Sequence, residues 1–135
     1  MAHPDHIEFL TPSALAPTPG YSQVVKVTGG QTIYIAGQVA LDASRNLVGR
    51  GDFRVQAQQV FENIKTALAT VGTDFNHVVK LNMYVLDRSN LPILREVRDL
   101  YVNTQAPPAS TLVEVRSLAQ EEFLLEIEAI ASLPG

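Results

Sequence analysis

The chain contains no cysteine, which excludes disulfides, thiolate metal sites and a cysteine nucleophile, and which fits an expected cytoplasmic location. It has three histidines, His3, His6 and His77; their spacing is not that of a zinc site, so each reads as a surface residue. No apolar run approaches the roughly 20 residues that span a bilayer. Met1 to Leu10 carries His3, Asp5 and Glu8 where a secretory signal has a basic start and an apolar stretch. No membrane partner is therefore expected. Positive charge is also scarce: 10 Lys and Arg stand against 14 Asp and Glu, a formal net charge of −4. The basic residues are scattered, with Arg45, Arg50 and Arg54 the nearest thing to a cluster. Nucleic-acid binders need a basic stripe to displace counterions from phosphates, so a small-molecule or protein partner fits better than a nucleic acid. Neither G-x-G-x-x-G nor a Walker sequence occurs, and Gly29-Gly30 and Gly49-Arg50-Gly51 read as turns rather than phosphate cradles. No cofactor is expected.

What is present suits one domain: 135 residues, 46% hydrophobic, are enough for a single core. Thr11 to Gly20 holds Pro12, Pro17 and Pro19 among small polar neighbours, so residues 1–20 read as an extended lead-in and 21–135 as the domain, with order beginning near Tyr21. Ser22–Thr28 and Gln31–Ala36 are rich in Val, Ile and Tyr, and Gly29-Gly30 between them predicts a two-residue hairpin. Ala57, Val60, Phe61, Ile64, Leu68 and Val71 recur at helical steps, with Asp52 near the start and Gly72 at the end. Val78–Leu86 reads as a strand. Leu91–Tyr101 is again helical through Ile93, Leu94, Val97, Leu100 and Tyr101, with Pro92 in its first turn. Pro107-Pro108 stops that helix and opens two closing strands. The predicted order is ββαβαββ, an α+β sandwich with two helices on one sheet face.

Strand alternation separates two sheet faces. One set, Val25, Val27, Ile33, Ile35, Leu81, Met83, Val85, Val113, Val115, Leu125, Ile127 and Ala129, is apolar and should lie beneath the helices. The other carries Val24, Lys26, Tyr34, Ala36, Asn82, Tyr84, Ser110, Leu112, Glu114, Leu124, Glu126, Glu128 and Ile130. That mixture of aliphatics and placed polar groups suits a subunit interface, and a homo-oligomer is the expectation; an ordinary solvated antiparallel face is the alternative.

Pro107-Pro108-Ala109-Ser110-Thr111-Leu112-Val113-Glu114-Val115 and Leu125-Glu126-Ile127-Glu128-Ala129-Ile130-Ala131, preceded by Gly20-Tyr21-Ser22-Gln23, Ile35-Ala36-Gly37-Gln38 and Val79-Lys80-Leu81, resemble the RidA/YjgF family (reactive intermediate deaminases, endoribonuclease L-PSP-like). The resemblance implies a mixed sheet of the chorismate-mutase-like, YjgF-like type, closed into a trimeric barrel with ligand clefts between subunits. It implies enamine or imine hydrolysis without metal or cofactor, with Glu126 positioning the hydrolytic water and Tyr21 and Gly37 lining the cleft. The chain departs from the family pattern at Ala36, for a small polar residue, and at Arg95, for an asparagine. It departs again at Leu112, for a cysteine, and at Ser110, for the arginine that grips the substrate carboxylate. Losing a charge-assisted hydrogen bond costs about 1.5–3 kcal/mol, or roughly ten- to a hundredfold in affinity. A substrate other than the usual small 2-imino acids is therefore expected.

Glu126 and Glu128 share a face about 7 Å apart at roughly 3.4 Å per residue. Glu126 reads as the catalytic carboxylate, or else as one of two interfacial rim carboxylates, and Glu128 reads as structural. Tyr21 is a ligand donor or an aromatic anchor of the lead-in. Arg95 points away from the apolar stripe; it serves as a guanidinium for a ligand carboxylate or pairs with Glu96 or Asp99. Ser110 lacks the adjacent base that a nucleophilic serine needs. Two further functions remain open, a non-catalytic ligand-binding or regulatory trimer, and an endoribonuclease or translation inhibitor. The acidic balance and the lack of a histidine near Glu126 count against the second.

Overall fold

The computed structural model describes residues 4–135, so the expectation for His3 lies outside the described residues. Helix α1 (Phe53–Thr70) starts where the Asp52 side chain accepts the Val55 backbone N–H at 3.1 Å, satisfying one of the donors a helix start leaves free. It ends before Gly72, whose φ of 76° stops the helix. Phe53, Ala57, Val60, Phe61, Ile64 and Leu68 form its buried stripe; Val71 lies past the last turn and is exposed. Helix α2 (Leu91–Asp99) has its proline in the first turn and buries Leu94 and Val97. At about 100° per residue, Leu100 falls about 90° to one side of that pair and is 76% exposed, contrary to the apolar stripe expected there. Arg98 falls about 70° to the other side and is buried.

Both helices cover one face of a four-stranded mixed sheet. Its strands are β3 (Gln31–Gln38), β4 (Val78–Val85), β5 (Ala109–Glu114) and β6 (Leu125–Leu133), in the order β3-β6-β4-β5. β4 and β5 are parallel with α2 as their crossover, and the other two pairs are antiparallel, the arrangement that separates a βαβ unit from a directly returning strand. Ile35, Leu81, Met83, Val85, Leu125, Ile127 and Ala129 meet α1 and α2 in one core. The two-layer α+β class expected from the periodicity is present.

Three expectations are corrected. Order begins before Tyr21: Ile7–Leu10 forms β1, paired antiparallel with β2 (Val24–Val27), and Ile7 is buried. The element order is thus βββαβαββ. Gly29-Gly30 does turn the chain, with φ of 71° and 89°, but β2 and β3 are not a hairpin, because β2 pairs with β1 while β3 pairs with β6. Turn chemistry specifies a reversal and not the strand that fills the hydrogen-bonding edge. The faces of β5 are also reversed. Its parallel register sets Ser110 beside Leu81 and Leu112 beside Met83, so both lie on the helix side and Leu112 packs on the core. Thr111 and Val113 share the open face with Asn82 and Tyr84, and Val113 is exposed there.

A buried amide fixes the approach to β6. Gln56 on α1 donates from Nε2 to the carbonyls of Gly49 at 3.1 Å and Glu122 at 3.0 Å, and its Oε1 accepts the Leu124 N–H at 3.0 Å. Two loops are thereby tied to one helix. Because a buried partner left unpaired costs about 1–3 kcal/mol, Gln56→Leu is expected to lower stability by roughly 2–3 kcal/mol. Urea denaturation measures this, and a change below about 0.5 kcal/mol, the range of an ordinary surface substitution, would contradict the tie.

Candidate functional site

The open sheet face carries the carboxylates. Between Ile35 and Gln38 the β3/β6 register jumps from Ile35 opposite Ala129 to Gln38 opposite Ile127, so Ala36 and Gly37 form a bulge, a device that re-aims the chain at one point of a sheet. Glu126 lies over Gly37: a Cβ on that glycine would stand 2.8 Å from Glu126 Cδ and 3.0 Å from Cγ. The bulge therefore accepts glycine because of close approach. Ala36 is exposed on the same face, and its carbonyl accepts Gln38 Nε2 at 3.0 Å.

The two carboxylates are not equivalent. Glu128 accepts hydrogen bonds from Asn82 Nδ2 at 3.0 Å and from the Tyr84 hydroxyl at 3.1 Å. The hydrogen bond to Glu128 raises the Tyr84 phenol above its ordinary value, with burial and the charges of Glu128 and Glu126 acting in the same direction. Tyr84 is thus a neutral donor at neutral pH. Glu126 accepts no hydrogen bond from any described residue, so its lone pairs are available to a water or ligand.

A second group gathers behind the sheet, between α2 and the edge strand β5. Pro107 and Pro108 lack N–H groups, and Ser22 approaches them as a donor: its N–H reaches the Pro108 carbonyl at 3.1 Å and its Oγ the Pro107 carbonyl at 2.6 Å. This brings the lead-in beside β5, where Ser22 bridges Ala109. The result is a pocket of about 390 Å³ whose lining includes Tyr21, Arg95, Arg98, Ser110, Leu112 and Met83. Four of the seven residues singled out by sequence meet here. Arg95 lines this pocket. Its expected intrachain partners are engaged elsewhere, Glu96 with Arg54 at 2.7 Å and Asp99 with Arg98 at 2.9 Å.

Arg98 is the residue that sequence reasoning missed. It is 5% exposed, and its Nη2 donates to the Pro19 carbonyl at 3.1 Å. Gly20, at φ 97°, leaves room for that guanidinium; a Cβ there would lie 3.2 Å from Arg98 Cζ. The signal was present in the spacing Leu91, Arg95, Arg98, three residues within about 60° on one helix stripe.

Other hollows lie elsewhere on the surface. One of about 650 Å³ is lined by Glu62, Phe75 and Tyr101 among others, and there the Tyr101 hydroxyl is committed to Glu62 at 2.6 Å. Burial, with that hydrogen bond and the Glu62 charge, pushes Tyr101 up to about 12, which makes it no general base near neutrality. His6 and His77 are both partly buried rather than fully on the surface, with ring centroids 6.2 Å apart. Among the described residues there is no group of three His, Cys, Asp or Glu that could hold a metal, and no helix long and apolar enough to cross a membrane.

Glu126 and Ser110 lie on opposite faces of one sheet, because Glu126 pairs with Tyr84 and Ser110 with Leu81, neighbours of opposite parity on β4. One chain therefore carries two separate candidate groups, Ala36-Gly37-Glu126 in front and Tyr21-Arg95-Ser110-Leu112 behind.

This fold and these residues coincide with a known family: the endoribonuclease L-PSP profile matches residues 11–133. The chain is 38% identical over 120 residues to protein DfrA of Myxococcus xanthus, covering 89% of this chain and 88% of that one. It is 36% identical over 120 residues to the 2-iminobutanoate/2-iminopropanoate deaminase of Mus musculus, covering 89% and 84%. Among solved structures, YyfB of the conserved Rid family from Yersinia pestis superposes with a TM-score of 0.87 at 35% identity, covering 95% and 99%. RidA from an Antarctic Psychrobacter superposes with a TM-score of 0.70 at 36% identity, covering 93% and 98%. The chain belongs to the endoribonuclease L-PSP, or RidA/YjgF, family.

Gly37→Ala should leave the fold intact, at a cost of about 1–3 kcal/mol for overpacking, while pushing the Glu126 carboxylate off the bulge. A crystal structure of the variant checks this, and an unmoved Glu126 side chain would contradict the close-approach account.

Proposed function

We propose that this protein hydrolyses enamines or imines bound in clefts between the subunits of a homotrimer, on a substrate other than the usual small 2-imino acids. The observation that carries the reading is Glu126, held over the Gly37 bulge with no hydrogen-bond donor from the described residues while its neighbour Glu128 is doubly bonded. In a protonated imine the C=N carbon is already electrophilic, so the reaction needs a positioned water and a proton acceptor. Glu126 would supply both functions: it orients the water and takes its proton as oxygen bonds to carbon, giving a carbinolamine. Transfer of a proton to nitrogen then lets ammonia leave as the C=O bond forms. Water adds and ammonia departs, and no redox partner is required.

The intersubunit cleft is supported by the placement of Glu126 and Ser110 on opposite faces of one chain. The open face, with Tyr34 78% exposed on one edge strand and Val113 exposed on the other, has the apolar and polar mixture of an association surface. A neighbouring copy docked there would bring its α2/β5 pocket toward Glu126. The deaminase name of the mouse relative supports the reaction class. The substrate distinction is supported by Ser110, which offers a hydroxyl and no charge.

Ammonia release from a series of freshly generated imines with side chains of increasing size tests the proposal. The wild-type protein is expected to prefer the bulkier members, and Glu126→Ala to lose about two orders of magnitude or more, the usual contribution of a positioned general base. Release that survives Glu126→Ala unchanged would remove the mechanism.

A further inference from the structure

The α2/β5 pocket has an unusual distribution of charge. Leu91, Arg95 and Arg98 occupy one stripe of α2, and all three line the pocket. Two guanidinium groups so close on a helix repel each other, and burial of the second, at 5% exposed, adds a desolvation cost. One carboxylate, Asp99, answers them through Arg98 Nε at 2.9 Å. Arg98 Nη2 is held by the Pro19 carbonyl. Arg98 Nη1 and the whole Arg95 guanidinium have no acceptor among the described residues. Arg98 is therefore held at two of its three nitrogens, and the Arg95 guanidinium beside it at none. Opposite them stand the hydroxyl-bearing residues Ser110 and Tyr21, and the remaining wall is apolar, from Met83, Leu91 and Leu112.

From this arrangement we infer that Arg95 and Arg98 form a clamp for one carboxylate of a ligand whose body is apolar. Two cations and one resident anion leave a single net positive charge, which matches a monocarboxylate. A guanidinium already oriented by its other bonds loses little freedom on binding, so Arg98 is the preorganised member and Arg95 closes from the open side. The volume of about 390 Å³ falls in the range of pockets that enclose small organic ligands, and Met83 and Leu112 suit an aliphatic or aromatic side chain. The inference rests on the proposed hydrolysis only in taking this carboxylate as part of the substrate, which would then be an imino acid with a large apolar side chain.

Calorimetric titration of the intact protein with 3-phenylpropanoate and with its uncharged analogue 3-phenylpropanamide tests the clamp without turnover. The acid is expected to bind at least about tenfold more tightly than the amide, the effect of one or more charge-assisted hydrogen bonds. Arg95→Gln and Arg98→Gln should each reduce that ratio toward one while leaving amide affinity nearly constant, which a purely structural role would not do. Should Arg98→Gln fail to fold, a crystal structure of the wild-type complex decides: the carboxylate within hydrogen-bond distance of Arg98 Nη1 supports the clamp, and a carboxylate elsewhere overturns it. A wild-type ratio near one, or a ratio undiminished in Arg95→Gln, also overturns it. A protein that discriminates acid from amide but releases no ammonia from any imine refutes the hydrolysis and keeps the clamp; ammonia release with equal binding of acid and amide does the reverse.

Discussion

The register between β4 and β5, with Leu81 beside Ser110, is the constraint on which the functional arrangement depends. Side chains alternate along a strand with period two, so a slip of one residue would send Ser110 and Leu112 to the open face and Thr111 and Val113 into the core. The observed register is held at two points. Leu112 packs on the core, and the Ser22 bonds to Pro107 and Pro108 fix the start of the strand. Because β6 pairs with β4 on its other edge with Glu126 opposite Tyr84, the carboxylate and the serine are committed to different faces. No rotamer change reunites them within one chain.

That division also separates the charges. The open face concentrates negative charge at Glu126 and Glu128, and it resolves the conflict between them by giving Glu128 both local donors. Like charges about 7 Å apart on a strand thus acquire different roles through their hydrogen bonds. Behind the sheet, α2 concentrates positive charge at Arg95 and Arg98 with one countercharge. In the proposed cleft an iminium would meet the negative half and a carboxylate the positive half, a complementarity that orients a ligand bearing both groups.

Much of the fold was legible because its signals are local. Asp52, the stripe from Ala57 to Leu68 and Gly72 define α1 almost residue for residue, and Pro92 and Pro107-Pro108 bracket the second crossover. The errors came where pairing partners, not propensities, decide the structure. Gly29-Gly30 marks a real reversal, yet nothing local tells that β1 takes the edge of β2. The β5 faces were misread because Ser-Thr-Leu-Val-Glu alternates too weakly to choose a parity, which the parallel neighbour then imposes. The candidate residues Glu126, Gly37, Tyr21, Arg95, Ser110 and Leu112 came from the family resemblance, and the structure divides them between two faces of the sheet. Arg98 escaped because a charged residue flanking an apolar stripe is ordinarily solvated; its burial depends on the Pro19 carbonyl, a contact 79 residues away in sequence.

The central claim, that a working cleft needs the front of one copy and the back of another, is tested most directly by subunit complementation. Glu126→Ala removes the front half-site, and Ser110→Trp fills the back one. Assemblies carrying one tag on each variant, isolated through both tags, would contain an interface at which an intact Glu126 faces an intact pocket. The account predicts that such mixed assemblies release ammonia from imines that neither parent variant hydrolyses. Mixed assemblies no more active than their parents would contradict it.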